Sequence, residues 1–159
     1  MTEFSGTPSG RGRRFVVLAS RFNEVITQRL VDGALDAFVK HGASLDHVDI
    51  VWVPGAWELP GAARRLLVTE RYDAVVAVGA VIRGETPHFE YVAYEASRGL
   101  ADASAEFDTP IGFGVLTCDN MGQAEARAGG DHGNKGWDAA LAALEMVDLF
   151  AQLAGSDEG

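Results

Sequence analysis

Between residues 79 and 91 the chain reads Gly-Ala-Val-Ile-Arg-Gly-Glu-Thr-Pro-His-Phe-Glu-Tyr, an apolar strand running into a polar turn with His88 directly after Pro87. Where a strand hands over to a helix, the first helical N–H groups lack partners and point the same way, so an anion such as phosphate can settle there. Gly84, Glu85 and Thr86 can wrap further N–H groups around it, with the Thr86 hydroxyl as an added donor. Arg83, or an arginine from a distant part of the chain, would supply the charge. A histidine at a helix start meets the positive end of the dipole, which disfavours imidazolium and leaves a neutral ring able to accept a proton near pH 7. A bound phosphate would push the other way. The chemistry in view is proton transfer beside an anion, and the plain alternative is a capped strand-to-helix connection with a hydrogen-bonding histidine.

Other residues have the types to complete such a site. Phe22 follows the first apolar run and stands between Arg21 and Asn23, where a ring can stack on a flat heterocycle or plug the end of the core. Trp57 and Phe113 carry the same ambiguity. Glu58 lies in Pro-Gly-Ala-Trp-Glu-Leu-Pro, a stretch whose prolines and glycine restrict the backbone, and suits an acceptor for hydroxyl groups. It equally suits the N-terminal end of a helix. Arg127 and Lys135 are the only lysine or arginine residues after Arg98, on either side of a glycine-rich break, and could hold a substrate anion or make surface salt bridges.

Composition narrows the partners. A formal charge of -10 repels nucleic acid and anionic lipid, and the basic residues cluster only at Arg11 to Arg14. None of the apolar runs approaches the roughly 20 residues needed to cross a bilayer. The apolar stretch after Arg13-Arg14 ends at Arg21 and reads as a strand, not an export signal. With one cysteine, Cys118, no internal disulfide can form, and a reducing, cytoplasmic setting is the default. The histidines at 41, 47, 88 and 132 show no paired ligand spacing, so no metal is expected. Neither GxxxxGK[ST] nor GxGxxG occurs at a strand end, which argues against triphosphate and dinucleotide cofactors.

The elements that must position these residues follow from periodicity. Apolar runs at Phe15–Ala19, Val48–Val53, Ala74–Ile82 and Ile111–Leu116 are mostly continuous, the mark of strands buried on both faces. Stretches of helical period separate them, around Ile26 to Phe38, Leu59 to Val68 and Phe89 to Ala103. Alternation of this kind predicts one α/β domain, a three-layer α/β/α sandwich of flavodoxin-like type with a four-stranded parallel sheet. Its loops would meet at the carboxyl ends of the strands. Two more helices, Met121–Ala128 and Trp137–Leu153, close the chain around the glycines at 129, 130 and 133. The last has two apolar faces, one through Ala140, Leu144 and Val147 and another through Met146, Phe150 and Leu153, which predicts a second subunit against it. Residues 1–13 lack periodicity and are expected to be a flexible arm or one laid on a neighbour, residues 14–154 the domain, and residues 155–159 a solvated tail.

Taken in order, Ser20-Arg21-Phe22-Asn23, Pro54 to Pro60, Gly79 to Tyr91, Leu116 to Asp119, Gln123-Ala124 with Arg127-Ala128-Gly129, and Gly133-Asn134-Lys135-Gly136 resemble the 6,7-dimethyl-8-ribityllumazine synthases of riboflavin biosynthesis. The resemblance covers residues 14 to 153. It implies a cofactor-free transferase that condenses 5-amino-6-(D-ribitylamino)uracil with 3,4-dihydroxy-2-butanone 4-phosphate. It further implies that Phe22, Asn23, Ala56, Trp57, Glu58, Ala80, Val81 and Ile82 hold the pyrimidine and ribityl chain. Gly84, Glu85, Thr86 and Arg127 would hold the phosphate, and His88 would move protons. Phe113, Arg127 and Lys135 would come from the adjacent subunit, and the N-terminal arm would add to a neighbour. Members form homopentamers or sixty-subunit icosahedral shells with riboflavin synthase as a possible cargo, and the short segment from Arg127 to Lys135 favours the shell. A non-catalytic flavin or lumazine binder, or a purely shell-forming paralogue, is the rival reading. Retention of both His88 and Arg127 speaks against the binder, because an unphosphorylated ligand needs neither.

Overall fold

A computed structural model describes residues 1–156. Four parallel strands form the sheet: β1 (Phe15–Ser20), β2 (Val48–Val53), β3 (Ala74–Ile82) and β4 (Ile111–Cys118), in the order β2-β1-β3-β4. Helices α1 (Glu24–Lys40), α2 (Leu59–Leu67) and α3 (His88–Phe107) connect them. After β4 come α4 (Met121–Ala126), a small hairpin of β5 (Ala128–Gly130) and β6 (Gly133–Asn134), and α5 (Lys135–Ser156). The expected three-layer sandwich is present, with strands at the expected places.

The central strands explain the layering. β1 is buried along its whole length and β3 from Ala74 to Val81, so both faces of the sheet must be covered. Phe15, Val17 and Ala19 face α1 and α5, and the Phe15 ring stacks on Phe38 of α1 with centroids 4.6 Å apart. Val16 and Leu18 face the other way, into the layer of α2 and α3 with Leu59, Ala63, Ala96 and Leu100. The chain leaves β1 toward β2, then returns across it to β3, so the connections diverge between β1 and β3. A crevice opens at the carboxyl ends of strands at such a point.

Several boundaries depart from expectation for local reasons. α4 stops at Ala126, two residues early, because residues 128–134 turn back as the β5–β6 hairpin through Gly129 and Gly133, both at positive φ. α5 starts two residues early because the Asn134 carboxamide oxygen accepts the N–H groups of Gly136 (2.8 Å) and Trp137 (3.1 Å), an Asn cap that periodicity alone could not register. The same helix continues through Gly155 into Ser156, the start of the expected tail, and residues 157–159 lie outside the described residues.

Within the chain, the N-terminal arm touches α5 through residues 5–7 and Arg13, while Gly10 donates its N–H to the His41 carbonyl. The Thr7 N–H donates to Asp148 Oδ2 at 2.8 Å, Gln152 Nε2 donates to the Ser5 carbonyl at 2.8 Å, and Arg13 pairs with Asp148 Oδ1 at 3.5 Å. Gly6 passes so close to the Glu145 carbonyl of α5 that any side chain there would collide with it. Along α5, Ala140, Leu144 and Val147 are buried, whereas Met146, Phe150 and Leu153 remain exposed, the second apolar face expected from the sequence. Among the described residues no helix is long and apolar enough to cross a membrane.

Asp148 gives the arm a pH dependence. The hydrogen bond from the Thr7 N–H, then that from Gln152, holds its carboxyl below the usual carboxylate range. A folded pKa below the unfolded one means the contact is at full strength above about pH 4 and weakens as pH falls through the depressed value. Asp148→Asn should therefore speed amide exchange over residues 5–8 at neutral pH, read by hydrogen-exchange mass spectrometry. Unchanged exchange would show that Asp148 does not retain the arm.

Candidate active site

The loops at the carboxyl ends of β1, β2 and β3 enclose a cleft of about 900 Å³. Backbone bonds lock the first two together: the Arg21 N–H donates to the Val53 carbonyl at 2.7 Å and the Phe22 N–H to the Pro54 carbonyl at 3.0 Å. Asn23 then adopts a left-handed conformation (φ 62°, ψ 50°), and its carboxamide Nδ2 donates to the Ala80 carbonyl at 3.0 Å. Few side chains tolerate that backbone, and asparagine is among them. The turn leaves the Phe22 ring 72% exposed over the cleft, not plugged into the core. Asn23 thus shapes the cleft by holding the β1 loop to β3, and does not line it.

Ala56, Ala80 and Val81 are buried at the cleft's base, with the half-buried Ile82 beside them. Trp57 and Glu58, on the short 3-10 turn Ala56–Glu58 before α2, line the wall. The Glu58 carboxylate accepts no hydrogen bond among the described residues, and it does not cap α2, so it is available to a ligand.

The opposite wall is the turn between β3 and α3. Pro87 is the N-cap residue of α3 and has no side-chain donor or acceptor, so the helix opens uncapped, with His88 as its first residue. Thr86 does not cap it. Among the described residues the N–H groups of Gly84, Glu85, Thr86 and His88 find no protein acceptor. Gly84, Thr86 and His88 line the cleft, whereas Glu85 does not. An aromatic platform, a free carboxylate, the turn residues Gly84 and Thr86 with unpaired N–H groups, and an imidazole thus line one space. This arrangement can stack a planar ring, accept from its substituents, bind an anion and relay a proton.

Charge is distributed differently from expectation. Arg83 does not face the cleft: its Nε donates to Asp119 Oδ1 at 2.9 Å, Nη1 lies 3.6 Å from Glu90, and the guanidinium covers the Phe89 ring at 4.7 Å. The Asp119 bond raises its pKa further above the ordinary arginine value. Arg127, half-buried at the end of α4, donates to the Gln123 carbonyl at 3.1 Å and has no carboxylate partner among the described residues; it lies outside this cleft. Phe113 and Lys135 are outside it too, on a second cleft of about 500 Å³ between the β4 edge and α5. Cys118 is buried, and that burial raises its thiol pKa, so it is a poor nucleophile.

Sequence reasoning missed Tyr91 as a cleft residue and assigned Phe89 and Val92 only to the buried stripe of α3, although all three line the cleft. The available signal was spacing: Tyr91 lies three residues after His88 and shares its helix face.

Residues 12–151 match the family model of 6,7-dimethyl-8-ribityllumazine synthase. The chain belongs to that family. It is 65% identical to the 6,7-dimethyl-8-ribityllumazine synthase of Gemmatimonas aurantiaca, over 94% of this chain and 92% of the relative. It is similarly 51% identical to the lumazine synthase of Aquifex aeolicus and 48% to that of Clostridium kluyveri, each over 96% of this chain and 99% of the relative. Membership in the lumazine synthase family bears out the resemblance drawn from the loop motifs.

The left-handed Asn23 yields a test of how the first loop is held. Asn23→Gly loses the bond to Ala80 alone, whereas Asn23→Ala also places an alanine in a conformation costing about 1–2 kcal/mol. Denaturant unfolding should therefore rank wild type above Gly and Gly above Ala. Equal stability of the two variants would mean that the φ angle imposes no constraint.

Proposed function

We propose that this chain condenses 5-amino-6-(D-ribitylamino)uracil with 3,4-dihydroxy-2-butanone 4-phosphate, forming 6,7-dimethyl-8-ribityllumazine, phosphate and water in riboflavin biosynthesis. The observation that carries this reading is the cleft itself: Phe22 and Glu58 face an uncapped helix N-terminus headed by His88, in a chain of the lumazine synthase family.

The reaction suits these groups. The Phe22 ring stacks on the pyrimidine, while Glu58 and the Ala56, Val81 and Ile82 region hold its substituents and the ribityl chain. Gly84, Thr86 and the start of α3 receive the phosphate. The primary amine adds to the ketone and loses water to give an imine; phosphate then leaves by elimination. The resulting enol becomes a ketone, and the ribitylamino nitrogen closes the ring with loss of a second water. Each step moves a proton, and His88 stands next to the phosphate turn, where it can take and return one. Positioned acid–base catalysis contributes roughly 10²- to 10⁴-fold, and alignment of two substrates can contribute as much or more.

The cleft lacks a cation, and this supports a shared site. Arg127 and Lys135 have no carboxylate partners among the described residues, and Lys135 and Phe113 flank the second cleft beside the exposed face of α5. In the proposed assembly these three residues complete the cleft of an adjacent subunit, with Arg127 on the phosphate. The N-terminal arm and the exposed face of α5 would contribute to a homopentamer, and pentamers to a sixty-subunit icosahedral shell able to hold riboflavin synthase. A cytoplasmic location fits the single reduced cysteine. A non-catalytic binder or shell protein is disfavoured because the relatives at 48–65% identity carry synthase names.

Lumazine absorbance should rise with phosphate release in step when both substrates are supplied. His88→Ala should lower kcat by about 10²- to 10⁴-fold without abolishing turnover; a correctly folded, substrate-binding variant with no residual activity would refute this division of labour. Co-assembly of His88→Ala with Arg127→Ala chains should restore activity above either parent, because some interfaces then carry both native residues. Mixed assemblies no better than their parents would exclude a shared site.

A further inference from the structure

The turn that bears the proposed phosphate donors has little to hold it. Among the described residues, Gly84, Glu85 and Thr86 make no hydrogen bond through N–H or carbonyl, and Pro87 uses only its carbonyl, toward the helix it begins. The turn's shape therefore depends on what secures its two ends. At the strand end, the Arg83 N–H extends the β3–β4 ladder by donating to the Cys118 carbonyl at 2.8 Å. The Arg83 side chain then reaches both ways. Its Nε binds Asp119 Oδ1 at 2.9 Å beyond the end of β4, while Nη1 approaches Glu90 at 3.6 Å and the guanidinium plane covers Phe89 in the first turn of α3. Asp119 is itself held, since its N–H donates to Gln123 Oε1 at 2.8 Å.

We propose that Arg83 is a positioning residue: one guanidinium ties the segment after β4 to the first turn of α3, pinning Gly84–Pro87 as a bridge whose N–H groups and His88 stay aimed into the cleft. It does not bind the substrate anion, because its Nε is bonded to Asp119, its charge is paired with Asp119 and Glu90, and it does not line the cleft. Each contact on this half-exposed side chain is weak alone. Together they use features that lysine lacks, a planar fork and a face that covers a ring. Charge neutralisation of Asp119 and Glu90 is a separate effect that lysine could also supply. The inference rests on the proposed phosphate side of the cleft.

Full-length assembled wild type, Arg83→Lys and Arg83→Gln distinguish these roles. Calorimetric binding of inorganic phosphate should weaken on the order of tenfold in both variants, since a small misplacement of binding groups is costly. The KM for the phosphate-bearing ketone should rise in parallel, while that for the uracil-bearing amine stays unchanged. Should the Arg83 variants fail to assemble, Asp119→Asn should show the same selective change in smaller degree. Wild-type behaviour of Arg83→Lys would overturn the clamp in favour of charge neutralisation alone. Unchanged phosphate affinity, an equal rise in both KM values, or a wild type that binds no phosphate would also overturn it. A wild type that binds phosphate but makes no lumazine would refute the functional reading, and the three phosphate affinities would still decide the clamp.

Discussion

The parallel pairing of β1 with β3 is the constraint from which the rest of the molecule follows. Both strands are buried on both faces, so their backbone groups must be satisfied within the sheet and their side chains by helices above and below. Parallel strands need crossovers that return the chain to the same starting end, and so every strand delivers its following loop to the same side. The cleft exists because β1 and β3 are neighbours whose chains depart in opposite directions. Phe22 and His88, 66 positions apart in the chain, line one space for that reason.

Close approach is the second theme, and glycine permits it where packing is tightest. Gly136 lets α5 rest on the Leu30 carbonyl of α1, and Gly112 lets the β4 edge meet the Ala139 carbonyl. An added methyl at either position would separate layers that the sheet holds together. Between β1 and β3, a side chain at Gly79 would strike Ser20 Oγ, a buried hydroxyl without a hydrogen-bond partner among the described residues. Such an atom carries a desolvation cost, and it lies at the carboxyl end of β1, where the ladder gives way to the Arg21–Asn23 loop.

Electrostatics are local in this acidic chain. The cation nearest the phosphate turn is occupied by Asp119 and Glu90, while Arg127 and Lys135, two of the cations without a carboxylate partner among the described residues, sit beyond the cleft. The cleft of a single subunit therefore offers dipoles and N–H groups to an anion, and no lysine or arginine lines it. In the proposed assembly a partner subunit supplies that positive charge, and the same partner would cover the apolar face of α5. Catalysis and assembly would then rest on one set of contacts.

Hydrophobic periodicity was sufficient for the sandwich, the four strands and the first three helices, because continuous apolar runs and helical stripes report burial directly. The loop motifs sufficed for the family, since their order and residue types are chemically specific. What they left undecided depended on distance between remote residues. Whether Arg83 serves the anion or two carboxylates, whether Asn23 touches a ligand or the Ala80 carbonyl, and whether the arm is free or held by Asp148 are questions of relative position. So too is the separation of Phe113 and Lys135 from the cleft of their own chain. Residue types state what a side chain is able to do; only the packing of helices on the sheet decides which partners come within reach, because hydrogen bonds and ion pairs act over a few ångströms and the chain brings those partners from far apart.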